Sequence, residues 1–187
     1  MPASTTVRTA DVAPQPWRNG GGVTRALLVR PRGDDWQVRV SVADVAVNGP
    51  FSRFPGVTRW FAVLAGAGVV LTIDSVEHPC GADDDAIRFA GDAATRCRLV
   101  AGPTVDLNLM LRGIRGEMRR VDPGASWQPQ TRECGLYATA AGDCRWVGHA
   151  DAEPMPADAL RWWPAAPDSI AFDGAGWWLS ADMAPAP

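Results

Sequence analysis

Lysine is missing from this chain: all 18 basic residues among its 187 are arginines. With no side-chain primary amine there is no Schiff-base nucleophile and no P-loop lysine, so pyridoxal-phosphate chemistry and Walker-type ATP hydrolysis are excluded. Histidine is scarce. The two present, His78 and His149, lie far apart and form no His-x-His pair, whereas a metal site in a β-barrel ordinarily draws two or three imidazoles. Neither a transition metal nor any other cofactor is expected. Cys80, Cys97, Cys134 and Cys144 contain no CxxC pair, and a chain of this size does not depend on disulfides, so they are expected to be reduced and buried. No apolar run approaches the ~20 residues needed to cross a bilayer, and the opening MPASTTVRTADV has neither a basic nor an apolar leader segment. The expectation is a soluble, cytoplasmic protein without a membrane partner. A dominant charge is lacking too, with a net charge of −3 and arginines spread along the whole chain. The local cluster Arg112, Arg115, Arg119 and Arg120 has no interleaved aromatics and reads as a solvated face, so nucleic acid is not an expected partner.

What is present points to strands. Gly 19 and Pro 16, with only scattered helical periodicity, favour many short strands joined by turns. Trp36 to Val45, WQVRVSVADV, alternates, placing Trp36, Val38, Val40 and Val42 on one face and Gln37, Arg39, Ser41 and Ala43 on the other. Val105 to Leu111, VDLNLML, repeats the pattern with Asp106, Asn108 and Met110 opposite the leucines. Phe61 to Ile73 is an apolar run broken at Gly66 and Gly68, which reads as a hairpin. Further strands are expected at 86–89, 97–100, 136–139, 144–147, 170–172 and 177–179, and only Ala157 to Trp163 looks briefly helical. Short, regularly punctuated strands suggest a sandwich or barrel, and a polar face on a central strand suggests a pocket inside it.

Several motifs carry little. Gly66-Ala67-Gly68 and Gly174-Ala175-Gly176 lack the third glycine of a dinucleotide fingerprint and read as strand bends. Asp83, Asp84 and Asp85 form a solvated loop run. Ser52 in GPFS has no GxSxG elbow around it, so no nucleophile triad and no catalytic residue is assigned. The stretch PWRNGGGVTR, Pro16 to Arg25, is different. Successive glycines let backbone N–H groups converge on an anion, Asn19 both donates and accepts, and Arg25 and Arg59 each offer a bidentate grip on a carboxylate. The competing reading is a bulged turn at Gly20 to Gly22 with Trp17 packed on it.

Four segments in this order, PWRNGGGVTR, WQVRVSVADV, GPFSRFPGVTRWFAVLAG at Gly49 to Gly66 and GPTVDLNLML at Gly102 to Leu111, together with AIRFAGD at Ala86 to Asp92, resemble the HutD/Ves family. The resemblance covers the first two thirds of the chain and is loose after Asp122. It implies an all-β, cupin-like (RmlC-like jelly roll) fold with two β-barrel-like lobes in one chain, divided at about residues 1–120 and 121–187. Members of the family are associated with bacterial histidine utilisation, so the resemblance also implies a regulator that binds a small carboxylate such as N-formylglutamate or urocanate and limits pathway flux. The family's pocket motif falls on Trp17, Asn19, Gly20, Gly21, Gly22, Thr24 and Arg25, joined by Ser41, Arg59, Asp106, Asn108 and Met110 from the other matching strands. Arg18 stands where the family commonly has Lys, and Ala26 where it often has Glu, so hydrogen-bond geometry near the loop is altered.

Two rival readings remain open. One is a metal-free hydrolase or isomerase acting on the same kind of acid, with Asp106 as general base. The other is an interaction module in which Trp162, Trp163, Trp177 and Trp178 form a homodimer interface. Substrate loss dependent on Asp106 separates the first from simple binding.

Overall fold

The strand signals in the sequence become four antiparallel sheets. The computed structural model describes residues 3–18, 20–146, 148 and 151–183. Asn19 and His149 lie outside the described residues. The chain divides into two units, one formed by residues 13–113 and the other by the residues up to Val12 together with those from Ile114 onward. The division expected near residue 120 therefore falls at 113, and the first strand, Thr5–Arg8, belongs to the second unit, where it pairs with Ala159–Trp163. Helix among the described residues is limited to one 3-10 turn, Thr9–Asp11, and no helix is long and apolar enough to cross a membrane.

In the 13–113 unit a six-stranded sheet runs in the order Gln15–Pro16, Gly22–Arg30, Val38–Val45, Thr104–Arg112, Val57–Ala65 and Ile87–Ala90. A four-stranded sheet, ordered Gly49–Pro50, Thr95–Leu99, Val69–Ile73 and Val76–Cys80, shares a core with it. Ala43, Val45, Phe61, Val63 and Phe89 from the larger sheet meet Val69, Leu71, Cys80 and Cys97 from the smaller. The expected alternation on Val38–Val45 and Thr104–Arg112 holds. Val38, Val40, Val42, Leu107, Leu109 and Leu111 point one way and are at most 1% exposed, while Ser41, Ala43, Asn108 and Met110 point the other way, into this unit's interior. Trp36 departs from its expected face: it precedes the strand and packs with Val57 and Met110.

The hairpin expected between Phe61 and Ile73 does not form, because Val57–Ala65 and Val69–Ile73 belong to different sheets. Gly66 and Gly68, at φ +99 and +94, carry the chain across. A Cβ at Gly66 would stand 2.6 Å from the Pro103 carbonyl oxygen, and one at Gly68 would stand 2.7 Å from that of Cys80, so the crossing requires glycine for space as well as for conformation. The real hairpin is Val69–Ile73 with Val76–Cys80. Its turn residues Asp74 and Ser75 have φ 46 and 75, the doubly positive arrangement that matches strand twist but lacks the usual Asn-Gly signature.

The second unit pairs a five-stranded sheet (Thr5–Arg8, Ala159–Trp163, Glu133–Ala138, Gly176–Ala181, Met118–Arg120) with a four-stranded one (Ser126–Trp127, Ile170–Phe172, Gly142–Trp146, Ala152–Met155). Its core stacks Trp127 on Trp178 at 4.9 Å and sets Trp146 edge-on to Trp163 at 6.3 Å. Ala159–Trp163 is a strand, not the expected helical turn. Every residue of it is buried, and a strand buried on both faces shows neither a two-residue nor a 3.6-residue period. Trp162, Trp163, Trp177 and Trp178 are at most 2% exposed, which removes them as an exposed dimer surface. The sheets do not close into barrels, and the architecture is all-β and jelly-roll-like.

Candidate ligand-binding site

Cross-strand register in the six-stranded sheet arranges the site in rows. Arg39, Met110 and Arg59 lie directly opposite one another on three neighbouring strands, followed one step along by Ser41, Asn108 and Phe61, and then by Ala43, Asp106 and Val63. Side chains on one face of neighbouring strands stand side by side, so polar groups from three sequence-distant strands converge. They open into a cavity of about 490 Å³ whose walls include Trp17, Arg18, Thr24, Arg39, Ser41, Phe51, Ser52, Phe54, Arg59, Phe61, Asn108 and Met110.

Arg59 is the most constrained of these. It is 5% exposed, and its guanidinium carbon sits 4.9 Å from the Phe51 ring, 5.1 Å from Phe89 and 5.9 Å from Phe54. Its Nη2 donates to Asn108 Oδ1 at 2.9 Å, while its Nε is buried with no partner. Burial, and secondarily the charge of Arg39, push its pKa down to about 10, so it remains a cation at neutral pH. Arg39 also has a buried, unpartnered Nε, and burial lowers its pKa. Arg18 lies exposed at the rim. Among the described residues lining the cavity there is no Asp or Glu.

Of the residues expected at the site, Trp17, Thr24, Ser41, Arg59, Asn108 and Met110 line the cavity. Trp17 is oriented by donating from Nε1 to Thr24 Oγ1 at 2.7 Å, and its ring meets Phe51 edge-on. Arg25 does not line the cavity: it stands opposite Val42, on the other face of the sheet, where its Nη1 donates to Asp44 Oδ2 at 2.6 Å. A surface carboxylate has already neutralised it. The glycines are not among the described lining residues either. Gly20 N–H donates to the Trp17 carbonyl, and Trp17 N–H to that of Gly22. The Gly21 carbonyl accepts from the N–H groups of Ala46 and Val47, so these backbone groups close a turn that presents Trp17.

Asp106 shares the polar face and a row with Ala43, which lines the cavity, but is itself fully buried and not among the lining residues. Its Oδ2 accepts from Thr104 Oγ1 at 3.0 Å and its Oδ1 has no partner. Burial raises its pKa to about 7 against the lowering effect of that hydrogen bond, with a further raise from Asp44. The group can exchange a proton near neutrality, yet it does not line the space a substrate would occupy.

Sequence reasoning missed Arg39, Phe51 and Phe54. Arg39 was legible by alternation, since it lies on the same face as Ser41. The phenylalanines arrive from the loop after Gly49–Pro50, where no periodicity marks a direction. Among the described residues no group of three His, Cys, Asp or Glu side chains is placed to hold a metal ion.

A family model described as HutD matches residues 9–175. A Pseudomonas putida protein, described as an uncharacterised 21.2 kDa protein in the hutC 3' region, is 36% identical over 107 residues, 56% of this chain and 56% of its own. Protein Ves from Citrobacter koseri is 38% identical over 102 residues, 53% of each chain. The chain spans about half the length of the curated relatives it matches. Among solved structures, HutD from Pseudomonas fluorescens SBW25, in a formate condition, is similar with a TM-score of 0.84 at 25% identity, covering 97% of this chain and 100% of its own. The fold is cupin-like. A family model that spans most of the sequence, with the same fold in a solved HutD, makes this chain a member of the HutD family.

Proposed function

We propose that this protein binds a small carboxylate and, through it, tunes the flux of histidine breakdown, with N-formylglutamate and urocanate as the first candidate ligands. One observation carries the reading: three arginines line a cavity whose described walls contain no acid to neutralise them. Unpaired guanidinium groups in an apolar setting favour an anionic guest, because a carboxylate meets their N–H forks bidentately and exchanges little solvation for a strong interaction. Phe51, Phe61 and Met110 supply apolar walls, and the Asn108 amide offers a donor to a carbonyl or formyl oxygen. The hutC-region relative and the formate-condition HutD structure are in keeping with this reading. Binding is favoured over turnover because the candidate proton carrier, Asp106, is fully buried and not among the residues that line the cavity.

Isothermal titration with N-formylglutamate, urocanate, glutamate and formate, run beside Arg59→Ala, tests the reading. At least one acid is expected to bind, and loss of the buried cation should weaken it by roughly 30-fold or more. Absence of heat from all four acids would sink the carboxylate reading. Chromatographic loss of an acid that disappears in Asp106→Asn would establish an enzyme instead.

A further inference from the structure

We propose that Arg39 and Arg59 hold two different anionic groups of a single ligand, and that Arg39 is the residue that distinguishes a two-charge acid from a one-charge acid. The inference rests on the carboxylate-binding reading above and narrows its ligand class to dicarboxylates.

The two arginines flank Met110 in one row of the sheet. Two strand spacings separate their Cα atoms by roughly 10 Å, with the Met110 side chain between them. Each has a buried Nε without a partner. Some other arginines are held by carboxylates: Arg25 pairs with Asp44 at 2.6 Å, Arg145 with Asp173 at 2.8 Å and Arg161 with Glu153 at 3.1 Å. By contrast, these two cations share a row on the sheet interior with no acid among the described residues lining the cavity, and the charge of Arg39 acts on Arg59. Like charges held together in a poorly solvated cavity are costly unless a guest of opposite charge joins them. A single carboxylate neutralises one.

Arg59 cannot swing over to share a ligand group with Arg39. Three phenylalanine rings lie around its guanidinium carbon, and Asn108 fixes one terminal nitrogen. The anchor is therefore stationary, and the second anionic group reaches Arg39 across Met110. A linear acid with two or three methylene groups between its carboxylates has the shape for this, its apolar middle resting on Met110 and its ends on the two cations. A compact dianion such as inorganic phosphate has the charge without the separation.

The test compares succinate and glutarate with their monoamides, succinamate and glutaramate, which keep length and shape and remove one charge; phosphate is included, and binding is read by calorimetry at low ionic strength. For the wild-type protein the dicarboxylates are expected to bind roughly 30-fold more tightly than their monoamides. In Arg39→Gln that ratio should collapse to near unity, with the thermal midpoint and far-ultraviolet spectrum confirming the fold. A wild-type ratio near one with measurable binding, a ratio that survives Arg39→Gln, or tighter binding of phosphate than of either dicarboxylate would overturn the inference and leave the carboxylate site standing. No binding of any acid would overturn both. If Arg39→Gln fails to fold, the wild-type ratio alone decides.

Discussion

Asp106 shows how one residue couples the site's chemistry to stability. Its carboxyl is fully buried, accepts one hydrogen bond from Thr104 and titrates near 7 in the folded chain, against 3.8 when unperturbed. A carboxyl whose folded pKa is raised keeps a proton that the unfolded chain gives up. Between about pH 4 and pH 7 the folded state therefore binds more protons, stability falls as pH rises through that window, and it levels off above about 7. The full effect is of the order of 4 kcal/mol. Urea unfolding at pH 5 and pH 8 should show this slope in the wild-type protein and its loss in Asp106→Asn, with the variant the more stable of the two at pH 8. Identical pH dependence in both proteins would mean that Asp106 is already solvated or paired. The same residue marks a boundary of sequence reasoning. Alternation places Asp106 on the polar face with Asn108, but whether that face is cavity or core at a given row depends on which strands of the second sheet lie over it.

At the scale of elements, the glycine run resolves into two different requirements. Gly22 is locked by space: a Cβ there would stand 2.3 Å from the Asp44 carbonyl oxygen, inside the pairing of Gly22–Arg30 with Val38–Val45. Gly20 is locked only by conformation, at φ +69 with nothing within 4 Å of a Cβ. Gly22→Ala is expected to cost roughly 3 kcal/mol, because backbone must move, and to disturb the placement of Trp17. Gly20→Ala should cost about 1 kcal/mol, the ordinary penalty for a left-handed residue. Chemical denaturation of the two variants separates these effects. Equal costs would favour a common strained turn over the two-part explanation. The run was legible as special in the sequence, and both readings of it, anion loop and bulged turn, were available; the hydrogen bonds from Trp17 N–H to the Gly22 carbonyl and from Gly20 N–H to the Trp17 carbonyl favour the turn. Ala159–Trp163 illustrates the opposite difficulty. A strand buried on both faces has no period to read.

Across the whole molecule, each unit has its own thiol probes. Cys80 and Cys97 lie in the core of the 13–113 unit, Cys134 and Cys144 in that of the other, and all four are buried thiols outside any disulfide. Burial pushes Cys97, Cys134 and Cys144 up to about 12, so neither access nor thiolate is available in the native state. Ellman's reagent at pH 8 should find no reactive thiol in the native protein and four after guanidinium unfolding. Stoichiometric reaction without denaturant would place a thiol at the surface or show a unit that opens readily.

The sequence by itself determined the strand-dominated class, the two-faced strands at the centre of the site, the absence of any lysine nucleophile and the family, because these depend on residue type and on a two-residue period that survives any tertiary arrangement. Tertiary structure alone decided which arginines are spent and which are available. Arg25 and Arg39 look alike along the chain, yet cross-strand geometry gives Arg25 a partner in Asp44 and sets Arg39 beside Met110 with none. Charge pairing depends on distances between strands, and those distances are fixed only when sheet register and the packing of one sheet on another are complete.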